Sequence, residues 1–490
     1  MPNGTIAEQL YEPLRASAKY FGPELAKLAY QRGLAVTDKT DGSTKPIPVT
    51  GTAMVLPSAE LKRRQDLSRR LSSAGVKMSR YMATGDHQAL ALGGLSPLER
   101  QLADQTAAKL DTLITTRVDF FVGAAGPKAL EINATIPAMQ GYSDIAANAL
   151  IEVAGRYFGA PDHVIAGWQA KNGSNTMALY RAILDGYSKV RPGRSPDRLA
   201  LLVRRNDAQL TEQNYLCERF REFGQECDVV YPDQLSGDDA VTANGKTYDM
   251  VYRHLFVRRL EEPDMKGADY VKALLAEPNG KRAVVLNPPA SQVEVKAVFA
   301  LLSQALEERA LSNGAGLNDE ELLAIKESVP WTRPFQGEAL VKKVAAEPDR
   351  YVLKRSWDYG GRAVFVGTSR KNASFSDRTK AAYGEKLDWE QLCARAAADT
   401  VGGGFVVQEL VPTQPEEHVL CSGNSTEVVG LYVDFSSYAS VGLGKQPNWG
   451  GVCRGSLSQI VNIVGGGGVL PLLTEEVAGS LLNAYRAKKS

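Results

Sequence analysis

Apolar residues in the first hundred positions recur at intervals of three and four, which is the spacing of an amphipathic helix. The pattern runs through Ala7–Lys27 and Ala59–Ala74, and proline and glycine are sparse within both segments. We therefore predict a helical N-terminal region over residues 1–108, serving as a cap or as a substrate-facing subdomain.

Two short extended segments follow this helical region. Arg117–Gly123 and Lys128–Asn133 flank a Gly-Pro turn, a pattern that predicts a hairpin with a longer loop. A helical stretch with polar interruptions then runs from about Ser143 to Ser188. These elements form the second predicted unit, residues 109–190.

The pattern changes after a linker rich in proline and charge, Lys189–Asp197. Apolar strands now alternate with helical segments such as Gln213–Phe223, which ends before the plausible C-cap Gly224. This alternation is typical of a parallel α/β sheet with helices on its faces. The third predicted unit, residues 191–328, contains the strands Arg198–Val203, Asp228–Tyr231, Tyr248–Arg253 and Ala283–Asn287.

The last third of the chain, residues 329–490, is predicted to be a mixed or antiparallel α+β unit. Turns rich in glycine separate short strands rich in valine and aromatic residues. Together the four units predict an α/β protein with α+β elements. The short strands are Tyr351–Lys354, Arg362–Gly367, Gly404–Val411 and Val428–Phe435.

The composition and charge of the chain limit the kinds of binding partner that we expect. The 490 residues include 57 basic and 56 acidic side chains, so electrostatics gives no reason to expect nucleic acid or an anionic membrane. No run approaches the roughly 20 apolar residues of a membrane span. The N-terminus does not resemble a signal peptide, and we expect a cytoplasmic protein with a small-molecule or peptide substrate. Five scattered cysteines and four isolated histidines indicate neither a disulfide framework nor a zinc site.

The first candidate site lies on the predicted hairpin. Side chains two apart on a strand share a face, so Glu131 and Asn133 project together and the hairpin brings Asp119 beside them. Carboxylate and amide oxygens suit Mg²⁺. A solvated strand edge with scattered polar residues would give the same pattern, because E-x-N is a weak motif.

The second candidate site contains lysine and glycine. Lys354 ends an apolar strand, and Gly360 and Gly361 follow in a loop whose backbone N–H groups can approach phosphate oxygens. It is not a Walker A loop, and an ordinary glycine turn explains it equally well. Lys296 begins an amphipathic helix, where a lysine is usually solvated.

Two further segments are candidates near the C-terminus. The apolar strand Phe405–Val411 contains Gln408 and Glu409. This segment could form an interdomain hinge that offers backbone groups to adenine and a carboxylate to ribose. A buried strand is the simpler interpretation. Arg454 supplies a basic group further along the chain.

In chain order these segments resemble the circularly permuted ATP-grasp families, including the glutathionylspermidine synthetase-like ligases. In an ordinary ATP-grasp enzyme the acidic E-x-N segment follows the lysines, whereas here it precedes them. The resemblance covers roughly residues 110–470, and the ordered set is more specific than any single motif. Its segments are Arg117–Asp119, Glu131–Asn133 followed by PAMQGY, Asn287–Lys296, Tyr351–Gly361, Val406–Val411 and the segment around Arg454.

The resemblance implies a permuted ATP-grasp fold with a Rossmann-like domain at residues 191–328, and an ADP-forming carboxylate–amine ligase that uses ATP and Mg²⁺. It assigns Mg²⁺ to Asp119, Glu131 and Asn133. The phosphates of ATP would contact Lys296, Lys354 and the loop glycines, with Gln408 and Glu409 near adenine and ribose and with Arg117 and Arg454 stabilising the transferred phosphoryl group.

Two departures limit the resemblance. An arginine, Arg362, follows the glycine pair where an acidic residue is expected, and the chain has no amidase domain. The substrate pair of the named ligases therefore does not carry over. An ATP-grasp-like kinase and a catalytically silent ATP-binding scaffold remain alternatives to the ligase.

Overall fold

The N-terminal region is helical, as predicted, but it also contributes short strands. The computed structural model describes residues 4–106, 109–123, 126–358, 360–461 and 467–490. The first helix begins at Thr5, whose side chain accepts the Glu8 N–H while the Glu8 carboxylate accepts the Thr5 N–H. The elements of this region are α1 Ile6–Gln31, β1 Ala35–Thr37, β2 Thr44–Pro46, β3 Val49–Thr50, β4 Met54–Leu56, α2 Ser58–Met82, α3 Gln88–Leu92 and α4 Pro97–Thr106.

The predicted hairpin is present, and its register is defined by two pairs. Arg117 lies opposite Asn133 and Asp119 lies opposite Glu131, so these four side chains share one face. The helical stretch after the hairpin is divided into three helices. The elements are β5 Leu113–Gly123, β6 Gly126–Asn133, α5 Gln140–Tyr157, α6 Asp162–Asn172 and α7 Asn175–Val190.

A four-stranded parallel sheet follows, which confirms the strand–helix–strand prediction. Its order is β12-β11-β7-β8, and every neighbouring pair is parallel. Gly224 adopts φ +91° just after α8, a conformation that favours glycine and ends the helix. The elements are β7 Arg198–Val203, α8 Leu210–Glu222, β8 Glu226–Val230, β9 Val241–Ala243, β10 Lys246–Tyr248, β11 Met250–His254, α9 Ala268–Ala276 and β12 Val284–Leu286.

A second four-stranded sheet, ordered β13-β16-β14-β15, is antiparallel throughout. Buried aromatic and aliphatic residues such as Phe365, Leu353 and Val407 pack it against flanking helices. The elements are α10 Ser291–Glu294, α11 Ala297–Gln304, α12 Arg309–Gly314, α13 Asp319–Ser328, β13 Thr332–Pro334, α14 Glu338–Ala346, β14 Tyr351–Arg355, β15 Val364–Val366, α15 Ala373–Tyr383, α16 Trp389–Ala398 and β16 Phe405–Glu409.

The largest sheet joins distant parts of the chain. Within the described residues its seven strands are ordered β17-β3-β20-β19-β18-β5-β6, and β17 also pairs with β18. The early hairpin therefore lies beside strands from the C-terminal region, a pairing that the sequence did not predict. The last elements are β17 Glu416–Ser422, β18 Ser425–Val441, β19 Gly451–Ser456, β20 Gly468–Leu470, β21 Leu472–Thr474 and α17 Glu475–Lys489.

Of the helices described, none combines the length and the apolar character needed to cross a membrane.

A buried asparagine joins the parallel sheet to the largest sheet. The Asn287 side-chain oxygen accepts the Ile114 N–H at 2.8 Å, and its amide nitrogen donates to the Thr115 carbonyl at 2.7 Å. The side chain is 1% exposed, so no water can replace these partners. The segment that leads to Lys296 is thereby held against β5.

We expect Asn287→Ala to lower the free energy of unfolding by about 1–3 kcal/mol, because it leaves buried N–H and C=O groups of β5 without partners. Urea unfolding followed by circular dichroism measures the change. Asn372→Ala is the matched control, since the exposed Asn372 caps α15 without a side-chain hydrogen bond. Equal stability of the two variants would contradict the assignment.

Candidate functional site

All eleven site residues that were predicted from the sequence line one cavity. Its volume is about 400 Å³, within the range of about 300–1,000 Å³ common for ligand pockets. Side chains from the hairpin, the antiparallel sheet and the C-terminal strands all line it. The predicted residues in its wall are Arg117, Asp119, Glu131, Asn133, Lys296, Lys354, Gly360, Gly361, Gln408, Glu409 and Arg454.

Lys296 meets the hairpin directly. The residue immediately precedes α11, and its Nζ lies 3.3 Å from Glu131 Oε2. The same ammonium donates to the Asp358 carbonyl at 3.0 Å, so it also contacts the segment before the glycine pair. Only 9% of the Lys296 side chain is exposed, which excludes the solvated lysine that its helix position alone would suggest.

Lys354 reaches the hairpin from β14. Its Nζ donates to the Leu130 carbonyl at 3.2 Å and to Gln408 Oε1 at 2.7 Å. Burial lowers the pKa of Lys354 to about 8, opposed by the charge of Glu131 and aided by that of Lys296. The neighbours of Lys354 therefore do not fully replace the hydration that its ammonium group loses on burial. An anion that enters the cavity would stabilise the charged form of this group.

A buried network of charges lies behind the hairpin. Arg117 Nε donates to Asp119 Oδ1 at 2.7 Å, and Arg454 Nη2 donates to Asp119 Oδ2 at 2.9 Å. Arg454 also binds Asp434, with Nε 3.1 Å from each carboxylate oxygen. Burial raises the pKa of the Asp119 carboxyl, but the charges of Arg117 and Arg454 outweigh burial and lower it below its ordinary value.

The side-chain oxygens that could bind a cation differ in how accessible they are. Both Asp119 oxygens are engaged by guanidinium groups, whereas Glu131 keeps 35% of its side chain exposed. Asn133 donates its amide nitrogen to the Arg117 carbonyl at 3.3 Å, so its amide oxygen is turned from that carbonyl. No group of three or more His, Cys, Asp and Glu side chains with metal-binding geometry occurs in the described ranges. One carboxylate and one amide oxygen nevertheless fit Mg²⁺, which retains water and phosphate ligands.

The glycine loop after Lys354 is held at both ends, since the Asp358 carbonyl accepts a hydrogen bond from Lys296 and the Gly361 carbonyl accepts one from Arg378 at 2.7 Å. Gly360 and Gly361 both have φ +69°, which favours glycine, and a Cβ on Gly361 would lie 2.8 Å from the Ile460 side chain. Trp357, which precedes the glycine pair, is buried and donates its indole N–H to Glu99 at 3.0 Å. Tyr359 lies outside the described residues.

Gln408 and Glu409 occupy different surroundings. Gln408 is buried, and its amide accepts from Lys354 and donates to Thr332 Oγ1 at 3.1 Å. Glu409 is half-exposed on the cavity wall, with Oε1 3.8 Å from Arg350 Nη2. Gln408 thus orients a lysine, while Glu409 is accessible to a ligand.

Four carboxylates in the cavity wall were not predicted from the sequence, namely those of Asp207, Glu294, Asp358 and Asp434. Asp434 lies on β18, where burial raises its pKa, and Asp358 follows Lys354 by four residues. Glu294 accepts the N–H groups of Ala134 and Thr135 at 3.0 and 2.8 Å, and burial raises its pKa. An acidic residue inside an apolar strand, as in VVGLYVDF, was the available signal for Asp434.

No protein-family model matches the chain, and no curated protein matches it. Among solved structures, a glutathione synthetase-like effector from Globodera pallida in its apo form has a TM-score of 0.58 at 12% identity, covering 94% of this chain and 97% of that one. At this identity the likeness shows the fold alone, a mixed α/β glutathione synthetase-like fold with a large sheet.

A second solved structure is described as a candidate gamma-glutamylcysteine synthetase from Methylobacillus flagellatus KT. It is 12% identical, covers 75% of this chain and 83% of that one, and has a TM-score of 0.35. That score is too low to support an argument about this chain.

We expect Asp119→Asn to destabilise the protein by about 3–5 kcal/mol, because it removes the carboxylate between two buried arginines. Since the folded-state pKa of Asp119 lies below its ordinary value of 3.8, its stabilisation is complete above that pH and is lost as acid protonates it. Urea unfolding at neutral and acidic pH measures both effects. Glu131→Gln is the control, and it should unfold within about 1 kcal/mol of the wild type because its carboxylate is partly hydrated.

Proposed function

We propose that the protein is an ATP-dependent carboxylate–amine ligase that releases ADP and phosphate. One observation carries the proposal: Lys296 and Lys354 both extend to β6, one to the Glu131 carboxylate and the other to the Leu130 carbonyl. Cations suited to phosphate and oxygens suited to Mg²⁺ thereby face a single cavity. The glutathione synthetase-like fold supports the same class of reaction by analogy.

Under this proposal Lys296 and Lys354 contact the phosphates of ATP, and Gly360 and Gly361 admit the phosphate chain close to the backbone. Glu131 and Asn133 would hold Mg²⁺, and Asp119 supports them by fixing the arginines beside the hairpin. The metal ion would supply positive charge that neutralises the phosphates. Glu409, accessible at the cavity wall, contacts the ribose, and Gln408 acts through Lys354 near the adenine end.

Two steps complete the reaction. A carboxylate oxygen of the first substrate attacks the γ-phosphorus of ATP, the bond to the β-phosphate oxygen breaks, and ADP leaves. The amine then attacks the acyl carbon, loses a proton and expels phosphate. Positive groups held around the transferred phosphoryl group stabilise the charge that develops in the first step. We assign this task to Arg117 and Arg454, which Asp119 and Asp434 hold in place.

Exclusion of water protects the acyl-phosphate in the second step. The segment after Trp357 is suited to cover the cavity, because Trp357 is fixed by Glu99 while glycines follow it. We further propose the permuted ATP-grasp order, with a Rossmann-like domain around the parallel sheet and with boundaries near residues 108, 190 and 328.

We expect Glu131→Gln and Lys354→Ala to lower acceptor-dependent ADP release by about 100- to 1,000-fold, because each removes a charge directed at the phosphates or their cation. Mass spectrometry of products formed from ATP, Mg²⁺ and a pool of amino acids, peptides and polyamines measures turnover. Lys128→Met is the control, since Lys128 lies on the same strand but donates to the Glu327 carbonyl outside the cavity.

The products separate the ligase from its alternatives. The ligase gives an amide and free phosphate, and hydroxylamine traps its acyl-phosphate, whereas a kinase gives a phosphorylated product. Binding of ATP without turnover would favour a silent scaffold. Full activity of both cavity variants would refute the site assignment.

We also expect the affinity for ATP to decline as pH rises past about 8, because Lys354 has a pKa lowered to about 8 and loses its charge in that range. The decline approaches about tenfold per pH unit when one proton must be regained on binding. Lys354→Arg keeps its charge throughout, so its affinity should stay level between pH 7 and pH 10. Calorimetric titration with ATP measures this, and a parallel decline in both proteins would contradict the role of Lys354.

A further inference from the structure

A buried carboxylate behind the cavity wall contacts the segments that carry both proposed phosphate-binding lysines. Glu99 lies on α4 in the N-terminal region and is 2% exposed. Its Oε1 accepts a hydrogen bond from Ser291 Oγ at 3.0 Å, and its Oε2 accepts one from Trp357 Nε1 at 3.0 Å. Ser291 begins α10, which leads to Lys296, and Trp357 follows β14, which carries Lys354. Glu99 therefore joins these two segments.

The charge of Glu99 has a partner from the segment after β11. Arg258 Nη2 lies 3.5 Å from Glu99 Oε2, and the guanidinium carbon of Arg258 lies 4.7 Å from the centroid of the Trp357 ring. Attraction between a cation and the face of an aromatic ring adds to the hydrogen bond. Trp357 is therefore held at its N–H edge by Glu99 and at its face by Arg258.

The two joined segments also contact each other at the cavity. The Lys296 N–H donates to the Ser356 carbonyl at 2.8 Å, and Lys296 Nζ donates to the Asp358 carbonyl at 3.0 Å. Ser356 and Asp358 are the neighbours of Trp357 in the chain, so a displacement of Trp357 would move both carbonyls. The position of Lys296 at the cavity thus depends on the bond between Trp357 and Glu99.

A local role in α4 explains only part of this arrangement. Glu99 forms a capping box with Ser96, because the backbone N–H of each residue donates to the side chain of the other, at 3.0 and 3.2 Å. A glutamine forms the same box. The cap alone therefore requires neither a buried charge, which is costly, nor the bonds to Ser291 and Trp357.

We propose that Glu99 is a positioning residue for phosphoryl transfer, which holds Trp357 so that Lys296 and the glycine loop face the phosphates of ATP. This inference rests on the proposed ligase function. Glu99 contacts neither substrate nor nucleotide and acts through Trp357 and Ser291. The N-terminal region thereby takes part in the reaction, since α4 belongs to that region.

Two variants of the full chain remove the contact from either side. Glu99→Gln keeps the cap but removes the charge, and Trp357→Phe keeps a ring beside Arg258 but removes the N–H. We expect each variant to lower kcat for ADP release by about 10- to 100-fold, because small misplacements of the groups around a reacting atom cost that much. Since both remove the same bond, the double variant should lose no more than about threefold beyond the slower single variant.

Hydrogen exchange of backbone amides reports the position of the segment without turnover. In both variants we expect residues 360–366 to exchange at least about tenfold faster in the absence of ATP, as for the loss of one charged hydrogen bond. Trp389→Phe is the control, because the buried Trp389 donates its indole N–H to the Val344 carbonyl at 3.0 Å, outside the cavity wall. It should leave kcat and this exchange within about twofold of the wild type.

Unchanged kcat or unchanged exchange in Glu99→Gln overturns the inference. So do losses of kcat that are additive in the double variant or shared by Trp389→Phe, since a general loss of stability would explain them.

The two readouts separate this inference from the ligase proposal. If the wild type releases no ADP with any acceptor but residues 360–366 exchange faster in Glu99→Gln, the ligase proposal fails and Glu99 still holds the segment. If ADP release requires Lys354 but not the Glu99 carboxylate, the ligase proposal stands and the positioning role fails.

Discussion

The site depends on the buried contacts of Asp119 with Arg117 and Arg454. These charges connect strands of the largest sheet that are not adjacent. Asp119 and Arg117 lie on β5, and Arg454 lies on β19, which β18 separates from β5. Buried ions are costly unless each has a partner with good geometry. Asp434 lies on β18, between β5 and β19, and accepts a hydrogen bond from Arg454. The network therefore fixes the position of β5, and β5 pairs with β6.

From this fixed hairpin the rest of the cavity follows. Lys296 and Lys354 come from segments more than 150 residues later in the chain, yet both contact β6. Asn287 holds the segment before Lys296 against β5, and Gln408 orients Lys354. Lys296 is positioned by the Glu131 carboxylate, whereas Lys354 is positioned by the Gln408 amide and by a backbone carbonyl of β6. Such positioning leaves the ammonium groups partly uncompensated, which favours an incoming anion.

Local sequence patterns predicted the hairpin, the parallel strands and the position of Lys296 before a helix. Strand periodicity shows which side chains share a face, but it does not identify the neighbouring strand. The contact between β5 and β18, and with it the partner role of Asp434, was therefore not predictable from one sequence. Lys39 and Arg259 were missed for the same reason, since only the fold brings them to one cavity. The magnesium role of Asp119 stays a prediction, because its oxygens here bind arginines.

Two parts of the cavity differ in the charged residues that line them. The phosphate side combines Lys296 and Lys354 with the oxygens of Glu131 and Asn133, whereas the part at the carboxyl ends of β7 and β11 has the cations Arg204 and Arg259 beside the carboxylates of Asp207 and Glu262. A metal-bound nucleotide brings its own cation, so its site needs both signs of charge. The phosphate side has both signs, because Lys296 lies 3.3 Å from the Glu131 carboxylate and Lys354 contacts the neighbouring Leu130 carbonyl. This arrangement of charges therefore suits a phosphate chain that arrives with its own cation.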